Sequence, residues 1–243
     1  MWPCYTATNF GRPIEPLRGT VPERNRTLTD LLEAVIFEPH LIIELVRRRG
    51  NKLQEILNSA GKACELRGYE APEGEEVPMY TRRQVRALYN AVKEKGMQFQ
   101  NSAKVNLNDQ AQYMQLVRFP EDSLSQQSAN CLDMAVLFAS LLSSCQISPL
   151  VLFVPGHALV GWKDGKGGCE FIQTTGISTM SFEEARPIGM QYFSPRKTVC
   201  EDWLKRWAES IEDPKQLVIE DAKEFSILID VDEVARKLRL TPV

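Results

Sequence analysis

The stretch Asn130-Cys-Leu-Asp-Met-Ala-Val-Leu-Phe-Ala-Ser-Leu-Leu142 is apolar on almost every side. A helix of that composition, Cys131 to Leu142, has no face to offer water and must be buried all round. Asn130 is placed to cap it, and Asp133 in the first turn suits the positive end of the helix dipole. Three strand candidates follow in quick order: Leu150 to Val154, Ala158 to Trp162 and Glu170 to Thr174. The Asp164-Gly-Lys-Gly-Gly run between the last two is a hairpin turn. Helices first, then a packed helix and antiparallel strands, make an α+β domain.

Upstream, residues 1–26 are rich in Pro, Gly and Arg without any period and are expected to form an irregular arm. Thr27 and Asp30 resemble a capping box opening a helix to about Phe37. Pro39 fits the first turn of a second helix, His40 to Arg49, which Gly50 stops. Its closing Arg47-Arg48-Arg49 stands where positive charge is favourable. Asn51 to Leu66 reads as a third helix with Leu53, Ile56, Leu57 and Ala60 on one face. The Pro-, Gly- and Glu-rich run from Gly68 to Pro78 marks a solvated linker. It divides an N-terminal arm and helical segment, residues 1–80, from a domain over 81–243. Thr81 is expected to cap a helix carrying Val85, Leu88, Tyr89 and Val92 and ending near Gly96, and Asn101 to Asp122 to be irregular. Downstream come an amphipathic helix from Val199 to Ile211 bearing Trp203, Leu204 and Trp207, a strand from Phe225 to Ile229, and a last helix over Val231 to Leu238. There is no internal repeat.

Of the 243 residues, 43% are hydrophobic and 25% charged, which excludes bulk disorder. With 29 basic against 32 acidic residues the net charge is −3, so nucleic acid has no electrostatic claim as a partner. No run approaches the roughly 18 consecutive apolar residues of a membrane span. The opening Met1-Trp-Pro-Cys-Tyr-Thr-Ala-Thr-Asn-Phe10 has neither the basic leader nor the apolar core of a signal peptide, and a cytoplasmic location is expected. Six cysteines are scattered without a C-x-x-C pair, which speaks against a zinc ribbon or a disulfide scaffold. No metal and no cofactor are expected.

Two histidines occur, and His157 alone stands in a suggestive place, following Pro155-Gly156 at the mouth of a strand. Cys131 opens the buried helix, where the dipole stabilises a thiolate. An imidazole within hydrogen-bonding reach completes a nucleophile and base pair if a third group orients the ring.

The segments 130–142, Pro155-Gly-His-Ala-Leu-Val-Gly-Trp162 and Phe171-Ile-Gln-Thr-Thr175 resemble the transglutaminase-like branch of the papain-fold cysteine peptidases. Gln115-Leu-Val-Arg-Phe-Pro-Glu121 and Ile229-Asp-Val-Asp-Glu-Val-Ala-Arg236 are similar to its bacterial members, and the resemblance spans about residues 82–240. It implies a papain-like core with Cys131 as nucleophile and His157 as general base. The third position falls on Gln173, where the family usually has Asp. An amide can hold the ring but supplies no negative charge to an imidazolium. A nearby carboxylate such as Glu170 is a candidate helper. Gln126 or Gln127 is the implied side-chain donor of an oxyanion hole, and spacing does not choose between them.

The expected function is a cysteine-dependent hydrolase acting on peptide, amide or isopeptide bonds through a thioester, with a peptide or protein as substrate. The alternative is a weakly active or inactive scaffold that binds a peptide or protein. Gln173 is its support, and the N-terminal helices are its candidate docking surface for a protein partner.

Overall fold

The computed structural model describes residues 4–5, 40–101, 105–106, 113–154, 156–209, 226–237 and 239. The helix expected from Thr27, the arm apart from Cys4–Tyr5, and the Trp207 side chain lie outside what is described.

In chain order the elements are β1 (Cys4–Tyr5), α1 (His40–Leu45), α2 (Asn51–Ala63), α3 (Val77–Glu94), β2 (Gln98–Phe99), β3 (Val105–Asn106), β4 (Tyr113–Leu116), α4 (Pro120–Gln126) and β5 (Ser128–Ala129). Then come α5 (Cys131–Ser144), β6 (Pro149–Val154), β7 (His157–Lys163), β8 (Cys169–Ile172), α6 (Phe182–Phe193), a 3-10 turn (Ser194–Arg196), α7 (Lys197–Glu209), β9 (Ile227–Asp230) and α8 (Val231–Lys237). The protein is α+β, and its main sheet is antiparallel with strand order β8-β7-β6-β9.

The sheet forms around its most apolar strand. β6 is buried at every residue, which requires neighbours on both edges and cover on both faces. β7 supplies one edge through a hairpin, and β9 comes from far along the chain to pair Leu150 with Asp230 and Phe153 with Ile227. The Asp164 carboxylate closes the second hairpin by accepting from the N–H groups of Lys166 (2.8 Å) and Gly168 (2.9 Å). α5 packs on β7 more than on any other element and is buried from Cys131 to Ser143. Each fully buried Leu or Phe on it contributes about 1.5–3 kcal/mol.

Several boundaries differ from expectation, among them the end of α1, which stops at Leu45 and leaves Arg47-Arg48-Arg49 beyond it. α3 starts at Val77 because Pro78 is tolerated in a first turn, and Thr81 lies inside the helix, its hydroxyl donating to Val77 O (3.0 Å). β3 and β4 lie within the stretch expected to be irregular, and α4 takes its last three residues: Pro120 opens that helix, with Glu121 and Asp122 in its first turn. α6 was not anticipated, since Pro187 and Gly189 in its interior read as breakers.

The run from Gly68 to Pro78, expected to be a solvated boundary, is exposed at Glu70, Pro72 to Gly74 and Glu76, while its first two residues are tied to the body of the protein. The buried Gln84 amide accepts from the N–H groups of Arg67 (2.9 Å) and Gly68 (3.0 Å) and donates to Gly68 O (2.7 Å). The Tyr69 hydroxyl accepts from the Ser148 N–H (2.9 Å). Helices on either side of the run share one hydrophobic cluster, with Leu53 and Ile56 in the same core as Leu88 and Phe138. Glu121 of α4 also caps α2, its carboxylate accepting from the N–H groups of Lys52 (3.0 Å) and Leu53 (3.2 Å).

Candidate active site

Chain direction decides which ends meet. α5 rises for 14 residues, roughly 21 Å at 1.5 Å each. β6 spans six, roughly 20 Å. β7 begins at His157 and packs against α5, the helix that Cys131 opens. β8 runs antiparallel to β7, so the residues just beyond its C-terminus lie beside the start of β7.

At the head of α5 a capping box fixes the first turn. Asn130 Oδ1 accepts from the N–H groups of Leu132 (2.8 Å) and Asp133 (2.9 Å). Asp133 Oδ2 accepts from Asn130 N–H (3.3 Å) and Nδ2 (2.8 Å), and its Oδ1 accepts from the Arg118 N–H (2.9 Å). Burial raises the Asp133 pKa, and these bonds hold it back. With both oxygens engaged, Asp133 serves as the cap. The Leu132 and Asp133 N–H groups are consumed by Asn130, so neither can serve a developing oxyanion. Arg118 donates from Nη1 to Ser128 O (2.9 Å) and Oγ (3.1 Å), anchoring the segment just ahead of the cap. Cys131 is 1% exposed at the first position of α5.

His157 is delivered by a two-residue link, since Val154 pairs directly with it. Gly156 there has φ +77°, a left-handed conformation that a side chain would strain. The ring is half-buried, and its Nε2 lies 2.9 Å from Gln173 Oε1. That oxygen also accepts the Thr175 N–H (3.3 Å), a group that can only donate, so the atom facing the imidazole is the amide oxygen. A carbonyl oxygen only accepts. Nε2 therefore carries the proton in the neutral ring, and Nδ1 presents a lone pair. Burial lowers the His157 pKa, and the bond to Gln173 offsets this in part. Tyr192 of α6 lies against the ring with centroids 5.4 Å apart at 55°.

The structure thus joins His157 to Gln173, and Cys131 opens the helix that packs on the strand His157 begins. Glu170 is engaged elsewhere, accepting from Arg82 Nε (3.1 and 3.0 Å) and Nη2 (2.6 Å) and from Arg186 Nε. A carboxylate held by two guanidiniums is no helper for the imidazole. Gln127 is exposed, with φ +50°, and its amide donates to Lys95 O (2.5 Å); Gln126 is exposed beside it. Cys169 is a free thiol pushed up to about 11, chiefly by burial. Among the described residues no group of three His, Cys, Asp or Glu side chains could hold a metal ion. None of their helices is long and apolar enough to cross a membrane. Tyr192 was missed from sequence because the helix that carries it was missed.

No protein-family model matches the chain, and neither a curated protein nor a solved structure does.

Proposed function

We propose that the protein is a cysteine-dependent hydrolase of peptide, amide or isopeptide bonds, with a papain-like core of the transglutaminase-like kind. The observation that carries this is the His157 Nε2 bond to Gln173 Oε1 at 2.9 Å, made at the start of the strand on which α5, opened by Cys131, packs. His157 Nδ1 takes the proton of the Cys131 thiol as sulfur attacks the carbonyl carbon. The tetrahedral oxyanion collapses to a thioester, the C–N bond breaks, and the imidazolium gives its proton to the leaving amine. Water, deprotonated by the same nitrogen, then releases the acid and restores the thiol. Gln173 holds the ring through both halves without a charge of its own. The imidazolium is thus less stabilised than beside a carboxylate, and burial disfavours it further. The resting pair on this reading is neutral thiol with neutral imidazole, and the proton moves only as attack begins.

The scaffold reading has its own support: Cys131 is 1% exposed, and Gln173 offers no negative charge. p-Nitrophenyl acetate separates the two. The hydrolase shows a burst of p-nitrophenolate with one acetyl group located on Cys131 by peptide mass spectrometry, and Cys131→Ala abolishes both. A scaffold shows no acetyl on Cys131 and the same slow release in both proteins.

A further inference from the structure

β8 is an edge strand of the four-stranded sheet, and an edge leaves a row of backbone N–H groups to be paired. Helix α6 takes them. The Phe171 N–H donates to Met190 Sδ (3.4 Å) and the Gln173 N–H to Ala185 O (3.0 Å). Gly189 permits the approach, since a Cβ there would stand 2.4 Å from Phe171 O. One charged group is buried in this seam: Glu170, 6% exposed, bound by Arg82 from α3 on one side and by Arg186 from α6 on the other. Arg186 directly follows Ala185. The ion pair and the backbone bond to Gln173 therefore come from successive residues of one helical turn. Two turns on, the same helix lays Tyr192 against the His157 ring.

We propose that Glu170 is a positioning residue for the His157–Gln173 pair, acting through Arg186 to seat α6 and with it Gln173 and Tyr192 about the imidazole. The inference rests on the reading of His157 as the base, yet its test does not need Cys131 to react. The two arginines divide the role of the network. Arg82 ties Glu170 to α3, whereas Arg186 ties it to the helix that supplies both contacts of the ring's surroundings. Removing either cation costs stability, because a buried carboxylate loses a partner. Only removal of Arg186 disturbs the ring.

The experiment is an NMR titration of His157 in the full chain from pH 5 to 8, with His40→Gln assigning the other histidine. Burial is the larger of the two opposing influences on the ring, so a ring opened to water titrates higher. In wild type His157 titrates below the ordinary value of about 6.5 with the proton on Nε2. In Arg186→Met the midpoint moves up toward that value and the neutral ring becomes a mixture of tautomers, while Arg186→Lys stays near wild type. Arg82→Met, which strips an equal charge from the same carboxylate, lowers the melting temperature and leaves the titration where it was. If both methionine variants move the ring equally, or neither does, Glu170 is a stability element and the proposal fails. Should Arg186→Met not fold, Arg186→Gln against Arg82→Gln gives the same comparison. A normal result here with an unreactive Cys131 would overturn the hydrolase and keep the positioning role.

Discussion

Helices α5 and α6 both open with a capping box, Asn130 with Asp133 and Ser181 with Glu184, yet they are held by different forces. α5 is buried from Cys131 to Ser143, and its cap is buried with it. α6 buries Phe182, Ala185, Gly189 and Phe193, while its cap stands in water. Apolar burial is non-directional: it fixes where α5 lies and tolerates small rotations. The contacts of α6 are directional, an ion pair and backbone bonds onto a strand edge. On the hydrolase reading proposed above, the difference suits two tasks: a nucleophile has to be delivered, whereas a base has to be held at an angle.

The largest expected effect comes from the buried helix. Phe138→Ala should cost about 3–5 kcal/mol in urea unfolding, since Phe138 is fully buried. Phe193→Ala in α6 should cost less, its ring being 3% exposed and stacked on Phe171, on a helix that directed bonds also hold. An equal loss at both sites would break the contrast. Gly189→Ala follows, at about 1–3 kcal/mol for forced overpacking against Phe171 O. It should also lift Tyr192 from His157, seen as a change in tyrosine near-ultraviolet circular dichroism. The caps sharpen the comparison further: within the usual range of about 0.5–2 kcal/mol, Asn130→Ala should lie at the top and Ser181→Ala at the bottom.

The smallest effect is a pH dependence. The folded pKa of His157 lies below its unfolded value, so in that window the folded state binds fewer protons. The contribution is present above about pH 6.5 and is lost as pH falls through the folded value. The gap in urea midpoint between wild type and His157→Asn should therefore shift against wild type on acidification from pH 7 to 5. A shift in the opposite direction would mean that the imidazolium is favoured in the fold.

α5 and its hairpins were legible because local signals suffice there. A continuous apolar run cannot sit at a surface, and Asp164 with the following glycines makes a turn without help from the rest of the chain. α6 was illegible because Pro187 and Gly189 contradict helix propensity, and the close approach that requires Gly189 is tertiary. The Arg82–Glu170–Arg186 network joins residues from three elements and leaves no local pattern. His157 and Gln173 stand out in sequence through the segments 155–162 and 171–175, and the bond between them is tertiary. The engagement of Glu170 and Gln127 elsewhere depends on partners that spacing does not reveal.

The claim that Cys131 and His157 act as one unit is tested most directly by the rate of Cys131 alkylation with iodoacetamide against pH, read by peptide mass spectrometry in wild type and His157→Ala. Labelling at and above about pH 6.5 that is faster in wild type than in the variant, and that falls away as His157 gains its proton on acidification, is the predicted result. Superimposable profiles in the two proteins would contradict it, and the thiol would then be a buried residue of a binding scaffold.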